Sequence, residues 1–378
     1  KTDLYFKKLI NSSDGNYSRY KFFYLHYLIK NNNLNAAKSV ADTINILNES
    51  LLLLQAKEWI NSNKLNKYSE YFSCQNETDI LAEFFFLISN LYSTEGDFLL
   101  SEFYLKISNY LNTKFYFNIA LEVDNYFTNQ QFKKSEKSLN SIPNKDEIYI
   151  WYKIRKKAQI ISKLQNKKKS QNFIESKFKH IKDPNIKTLY EMGNIYKNYG
   201  IYDRSIYYYS LVISKLKKGS ENLADVLYRR GGSYERMQNY KKSDKDFLNA
   251  LEIKPDEPYL LNYLAYSWLE RNIKINEALD MLKIAYDQES EDPYIIDSIG
   301  WAYFLIEDYL EAEKYLKRAV ELMPDDPIVN DHYGDILWKL NRKIQARYFW
   351  NNVLTFDDTE DDMREKINIK VIEGLKNS

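Results

Sequence analysis

The sequence is short of the residue types on which several classes of protein depend. A single cysteine, Cys74, excludes an internal disulfide and a metal site built from several thiolates. Seven prolines and ten glycines among 378 residues provide few of the turns that an all-β fold requires. No apolar run approaches the roughly 18 residues that span a bilayer. The chain is therefore expected to be helical and to lack a transmembrane segment.

Signals for catalysis are also scarce. The sequence has no nucleophile-elbow, phosphate-binding-loop or zinc-protease motif. The adjacent glycines in "RRGGSY" at 229–234 follow no predicted strand, which a phosphate-binding loop requires. The three histidines, His26, His180 and His332, are far apart in the chain. We therefore predict that the protein is not an enzyme and binds no cofactor or catalytic metal.

Charge is balanced overall, with 54 basic and 53 acidic residues, but it is uneven along the chain. Residues 144–182 contain 12 basic and 3 acidic residues, whereas 287–335 contain 14 acidic and 3 basic ones. The basic stretch is either a solvated face or a docking patch for an acidic partner or a membrane surface. Its lysines are not interleaved with an RNA-reading pattern, so no nucleic-acid partner is expected.

The chain does contain an internal repeat. Gly300 and Ala312 recur 34 residues later as Gly334 and Ala346. Extending this register gives about ten units. Their predicted starts are Pro327, Pro293, Pro258, Ala224, Ile186, Trp151, Tyr116, Ala82, and positions near Glu49 and Ser18. Successive spacings from the C-terminal end are 34, 35, 34, 38, 35, 35, 34, 33 and 31 residues.

Each unit has the pattern of two helices joined by a turn. In the clearest copy, one helical face is formed by Ile296, Ile299, Gly300 and Tyr303. The second helix repeats that spacing at Ala312, Leu316 and Ala319, and it ends at "MPDDP" because proline cannot continue a helix. Small residues at Gly300 and Ala312 let the paired backbones approach closely. In such a stack each repeat contacts only its neighbours, so the three histidines are not expected to meet.

The small and aromatic positions resemble the tetratricopeptide repeat (TPR). The signature appears as Leu227, Gly231, Tyr234, Phe247, Ala250 and Pro255 in one unit, and as Leu189, Met192, Gly193, Tyr196 and Tyr209 in another. Arg230 departs from it at a leucine position. The resemblance implies an all-α, right-handed α-solenoid of about ten hairpins. The predicted segments are an N-terminal cap or degenerate repeat at 1–17, divergent repeats at 18–185, well-matched repeats at 186–358 and a capping helix at 359–378.

In this family the first helix of each hairpin lines a concave groove that binds proteins. The resemblance assigns outward positions of the well-matched repeats to that groove: Tyr190, Asn194, Tyr228, Arg229, Asn262, Tyr266, Asp297, Trp301, Asp331, Asp335 and Trp338. Tyr190 and Tyr259 stand where some family members carry lysines that clamp a C-terminal carboxylate, so that clamp is absent. The acidic, aromatic groove would suit either a basic or an extended apolar segment.

A further resemblance concerns about 100 residues near the C-terminus, most specifically "DSIGWAYF" and "DHYGDILWKLNR". They are similar to the ends of long TPR proteins of Gram-negative bacteria, some of which are exported lipoprotein adaptors of a C-terminal processing protease. This similarity implies a periplasmic or outer-membrane-associated protein, with the cytoplasm as the alternative. The chain begins at Lys1, and the residues before it would decide between these compartments.

Taken with the missing catalytic motifs, these features predict a scaffold or adaptor that holds a protein or peptide partner in the groove, with a second partner on the basic middle repeats. The alternative is a structural subunit of a membrane-associated or envelope complex, packed through the aromatic N-terminal repeats around "EFFFLISNLY".

Overall fold

The computed structural model describes residues 1–12 and 17–375. Most of the predicted loop "SSDGN" and the last three residues of the predicted capping segment lie outside the described residues. All regular secondary structure in the described ranges is helical, as predicted. The chain forms two compact units, Lys1–Ile195 and Tyr196–Ser378. The predicted segment boundaries at 17, 185 and 358 stay predictions.

The first unit contains α1 to α11 and most of α12. The helices are α1 (Thr2–Ile10), α2 (Tyr20–Lys30), α3 (Leu34–Asp42), α4 (Leu51–Asn61), α5 (Asn66–Tyr71), α6 (Glu77–Thr94), α7 (Phe98–Leu111), α8 (Ile119–Thr128), α9 (Phe132–Ser141), α10 (Glu147–Leu164), α11 (Lys167–Phe178) and α12 (Ile186–Asn198). A short 3-10 helix, Tyr116–Asn118, precedes α8.

The second unit continues with helices that pair consecutively. They are α13 (Tyr202–Lys215), α14 (Glu221–Arg236), α15 (Tyr240–Ile253), α16 (Pro258–Glu270), α17 (Ile275–Gln288), α18 (Pro293–Leu305), α19 (Tyr309–Leu322), α20 (Pro327–Lys339), α21 (Lys343–Thr355) and α22 (Asp361–Glu373). Antiparallel hairpins are formed by α14 with α15, α16 with α17, α18 with α19, and α20 with α21.

The turns of the hairpins reproduce the predicted spacing. A residue with positive φ lies between the two helices of nine hairpins: Asn32, Asn63, Gly96, Gln130, Gly200, Gln238, Asn272, Glu307 and Asn341. Their separations are 31, 33, 34, 70, 38, 34, 35 and 34 residues, the 70 covering two units of 35. The left-handed conformation reverses the chain after the first helix. The prediction of about ten hairpins is confirmed.

The small residues lie where paired helices touch. A Cβ added to Gly300 would meet Leu316 Cγ at 2.7 Å, and one added to Gly334 would meet Trp350 Nε1 at 2.4 Å. Ala312 is fully buried. The recurring glycines therefore leave room for a large side chain of the paired helix, which explains the 34-residue recurrence.

The Asp-Pro pairs between hairpins begin helices rather than only ending them. Asp292 accepts hydrogen bonds from the backbone N–H groups of Tyr294 and Ile295, and Asp326 caps α20 in the same way. A proline in the first turn follows each cap, where its missing N–H costs nothing.

The first unit does not stack strictly in sequence order. Its core joins α2–α5 directly to the 3-10 helix, α8 and α10. Phe22 packs edge-on against Phe115, and Trp59 packs edge-on against Phe117. Within the described residues, α6 and α7 contribute nothing to this core. The expectation that each repeat contacts only its neighbours is therefore wrong here, because the N-terminal helices pack past the α6–α7 hairpin.

The C-terminal segment forms the predicted capping helix. Ile367 of α22 is fully buried, and Val371 and Leu375 pack against the same core as α20 and α21. Arg347 Nε of α21 donates to the Val371 carbonyl at 2.8 Å. The helix covers the apolar side that α20 and α21 would otherwise expose.

Candidate functional site

The first helices of four hairpins in the second unit enclose a groove of about 590 Å³. We call it the α16–α18 groove; its walls come from α14, α16, α18 and α20. Four predicted site residues line it: Tyr228, Asn262, Tyr266 and Asp297. They come from three successive hairpins, which agrees with the repeat register.

Sequence reasoning named Tyr259 only as a replaced clamp lysine and did not assign Tyr294 or Ile328 to the groove. Tyr259, Tyr294 and Ile328 line the groove and are each about half exposed. Each directly follows the proline that begins its helix, so the repeat register could have identified all three as equivalent positions. Together they form an apolar row, which we call the position-two row, with one residue from each of three hairpins.

The groove is acidic. Five carboxylates line it, from Glu235, Glu270, Asp292, Asp297 and Asp326, against two guanidinium groups, from Arg236 and Arg271. Arg271 is already engaged, because its Nη2 lies 2.7 Å and its Nη1 3.1 Å from the Asp244 carboxylate. The groove therefore presents net negative charge to a partner.

Three buried polar atoms of groove residues find no hydrogen-bond partner within the described part of the chain. They are Asn262 Oδ1, Ser267 Oγ and Asp297 Oδ1. Asp297 is only 4 % exposed and Ser267 only 5 %. A buried acceptor left without a donor is unfavourable by about 1–3 kcal/mol, so the groove is short of donors.

The other oxygen of Asp297 pairs with His332. His332 Nδ1 lies 2.8 Å from Asp297 Oδ2, and the imidazole stacks on Trp301 with ring centres 4.1 Å apart. Burial opposes the charged imidazolium, but Asp297, with Asp331 and Asp335, outweighs it and raises the pKa of His332. Trp301 is therefore a packing partner of this pair.

This pair predicts how stability depends on pH. Because the folded-state pKa of His332 lies above its unfolded value of about 6.5, the stability that it contributes is complete below pH ~6.5 and is lost as pH rises through the folded pKa. We expect the urea midpoint to fall as pH rises above ~6.5, and to fall less in His332→Gln, which keeps a donor but does not titrate. An equal slope in both proteins would contradict this assignment.

The predicted acidic positions on α20 already have a partner within the chain. Lys370 Nζ of α22 lies 2.6 Å from Asp331 Oδ1 and 2.8 Å from both oxygens of Asp335. Burial opposes the charge on Lys370, but Asp335 and Asp331 outweigh it and raise the pKa of Lys370. Trp338 packs beside Trp350, in the same part of the unit.

The remaining predicted residues lie elsewhere. Tyr190 and Asn194 belong to α12 in the first unit, where Tyr190 is buried and Asn194 half-buried. Arg229 is half-buried on α14. A partner-binding role for these three residues stays a prediction.

A second surface lies on the first unit. Apolar side chains are exposed along one stripe of α6, at Phe84 and Leu91, and along one stripe of α7, at Leu99, Phe103 and Tyr110. We call these five residues the α6–α7 face. The hairpin contains six acidic residues and one lysine, so it carries a net negative charge.

The predicted basic stretch is partly neutralised within the fold. Lys156 pairs with Asp124 at 2.7 Å, and Lys157 pairs with Glu136. The lysines at 167–169 are exposed at the start of α11. Both interpretations of this stretch, a solvated face and a docking patch, stay open.

The histidines have separate environments. His26 Nε2 lies 3.0 Å from Ser69 Oγ, and burial lowers the pKa of His26 to about 4. His180 contacts the Ser176 carbonyl. Across residues 1–12 and 17–375, no group of three or more His, Cys, Asp or Glu side chains is arranged to hold a metal ion. Nor is any helix in those ranges long and apolar enough to cross a membrane.

Comparison with known proteins gives the same repeat. The family model described as Tetratricopeptide repeat matches residues 224–257 and 295–326, which are the α14–α15 and α18–α19 hairpins. A solved tetratricopeptide repeat protein from Parabacteroides merdae superposes with a TM-score of 0.53 at 14 % identity, over 67 % of this chain and 98 % of that one. This structural likeness concerns the fold alone.

Two curated proteins share part of the sequence. The TPR repeat-containing protein PA4667 of Pseudomonas aeruginosa is 30 % identical over 120 residues, which are 32 % of this chain and 20 % of that protein. Protein bimA of Emericella nidulans is 26 % identical over 84 residues, or 22 % of this chain and 10 % of that protein. The matched part thus spans a fifth or less of these relatives. The hairpins, their packing glycines and these matches show that the chain contains tetratricopeptide repeats.

Proposed function

We propose that this protein is a non-catalytic scaffold that holds an extended segment of a protein partner in the α16–α18 groove. Tetratricopeptide repeats serve generally as protein-interaction scaffolds, and the specific groove is our assignment. The observation that carries it is the exposed position-two row of Tyr259, Tyr294 and Ile328, set along one groove. Aromatic anchors of this kind are enriched where proteins bind each other.

The dimensions of the groove fit an extended segment. Neighbouring helices pack about 8–10 Å apart, so four first helices span about 30 Å. An extended chain covers about 3.3 Å per residue, so about nine residues would cross the groove. The row repeats once per hairpin, which would place one contact about every three residues of the partner.

Site-specific photo-cross-linking tests this proposal. With benzoylphenylalanine in place of Tyr294, we expect the protein in its native cell extract to cross-link a partner protein that peptide mapping places at α18. Tyr348 on α21 is the matched control, because it is also an exposed tyrosine, 63 % against 54 % for Tyr294, but outside the groove. Equal cross-linking at both positions, or none at Tyr294, would exclude the groove as the binding site.

The α6–α7 face favours a second candidate function, a structural subunit of a larger complex. Its exposed leucines and aromatics are set aside from the core of the first unit. The net negative charge of the α6–α7 hairpin would oppose binding to anionic lipid headgroups, so the partner we assign to this face is a protein surface with an apolar centre and basic edges. The same cross-linking experiment with the probe at Phe103 distinguishes the two: capture there and not at Tyr294 would favour the subunit.

The compartment and the adaptor role are proposals as well. From the C-terminal resemblance alone, we propose an envelope-located adaptor of a C-terminal processing protease. Cell fractionation would place the protein in the envelope under this proposal and in the cytoplasm under its alternative.

A further inference from the structure

We infer that the partner segment carries a lysine or arginine side chain that inserts between α16 and α18, against Asn262, Ser267 and Asp297. This inference rests on the groove function proposed above and names the chemical class of its ligand. It decides between the basic and the apolar segments that the sequence alone left open.

The groove lacks hydrogen-bond donors for three of its buried oxygen atoms. Asn262 Oδ1 and Asp297 Oδ1 can only accept hydrogen bonds, and both are buried in residues that line the groove without a partner. Ser267 Oγ adds a third unsatisfied atom. An ammonium group has three N–H donors and no acceptor, and a guanidinium group has five. Cationic side chains therefore supply what these atoms lack.

The side chains that line the groove carry a net negative charge. Of the five carboxylates of the groove, Asp297 is paired with His332, which leaves four carboxylates against two guanidinium groups. One of those two guanidinium groups, on Arg271, is held by Asp244. Asp292 and Asp326 each accept backbone N–H groups through Oδ1 alone, and both line the groove. A neutral apolar segment would leave the negative charge of the groove uncompensated, and an acidic segment would be repelled by it.

Tyrosine rings form one wall of the groove. Tyr259, Tyr263 and Tyr266 line the groove along α16. Burial, followed by Glu270 and Asp297, raises the pKa of Tyr266, so its phenol stays neutral. Cations are attracted to the faces of tyrosine rings. The chain already uses this contact at the groove, where the Arg271 guanidinium lies 4.7 Å from the centre of the Tyr240 ring.

Synthetic peptides test the inference directly. We would use capped, fluorescein-labelled peptides of about nine residues, alternating serine and leucine, in which the central residue is lysine, glutamine or glutamate. Fluorescence anisotropy with the full-length protein should give at least ~10-fold tighter binding for lysine than for glutamine, and weaker binding still for glutamate. The lysine preference should shrink as salt is raised from 50 to 500 mM, because screening weakens charge pairing.

Two variants locate the effect. Asn262→Asp adds a carboxylate of the same shape at an unsatisfied position, so lysine-peptide affinity should rise by ~3-fold or more. Glu270→Gln removes an exposed carboxylate from the groove rim with little risk to folding, and affinity should fall ~3-fold. Glu365→Gln, an exposed change on α22 outside the groove, is the control and should leave affinity unchanged.

The outcomes separate this inference from the proposed function. Equal binding of the three peptides, a preference for glutamate, or no binding of any peptide would overturn the cationic anchor. Cross-linking at Tyr294 would then still support the groove as a binding site for another class of segment. Loss of that cross-link would overturn the proposed function itself, whatever the peptides show.

Discussion

Replacing Trp350 with alanine is expected to lower the free energy of unfolding of the second unit by about 3–5 kcal/mol, the usual loss for a large aromatic removed from a core. Trp350 is fully buried, packs beside Trp338 with ring centres 5.4 Å apart, and donates from Nε1 to Asp335 Oδ1 at 3.0 Å. It also fills the space opposite Gly334, where even one added Cβ would clash. The variant therefore leaves a cavity and removes a donor from a buried carboxylate.

Urea denaturation followed by circular dichroism at 222 nm measures this loss. Tyr348→Ala is the matched control, since Tyr348 is an aromatic residue two positions away on α21 and is 63 % exposed. We expect its effect to stay within about 0.5 kcal/mol. Comparable losses in the two variants would mean that the register of α20 against α21 is not the one described.

Replacing Arg19 with methionine is expected to weaken the attachment of the α6–α7 hairpin by about 3 kcal/mol. Arg19 donates from Nε and Nη2 to the Glu83 carboxylate at 2.7 and 2.8 Å, and from Nη2 to Asn118 Oδ1 at 2.9 Å. Its guanidinium also lies 3.9 Å from the centre of the Phe86 ring. Methionine keeps part of the apolar contact but leaves the Glu83 carboxylate, which is largely buried, without its cation.

Hydrogen exchange of the peptides covering 77–111 provides the measurement. We expect faster exchange in α6 of the variant, while the core helices α2 and α4 stay protected. Lys106→Met is the control, because Lys106 is exposed on α7 and pairs with Glu102 one turn away on the same helix. If α6 exchanged at the wild-type rate in Arg19→Met, the contacts of the hairpin with the 3-10 helix and α8 would be sufficient to hold it.

The groove was only partly predictable from sequence. Tyr228, Asn262, Tyr266 and Asp297 were found because repeat positions map to one side of each first helix. Ser267 was missed, since its importance comes from being buried without a partner, and periodicity cannot show that. Trp301 occupies an outward repeat position, yet it stacks on His332, which lies on the next first helix, α20.

Sequence alone determined the hairpins of this protein: their number, their spacing and the small residues between paired helices. These features follow from local periodicity and turn chemistry, which each stretch of about 34 residues carries by itself. Only the tertiary structure decided that α2–α5 pack past the α6–α7 hairpin, and that Lys370 forms ion pairs with Asp331 and Asp335. Both outcomes depend on which distant surfaces bury each other best, and a repeat pattern contains no information about such pairings because every copy offers nearly the same face.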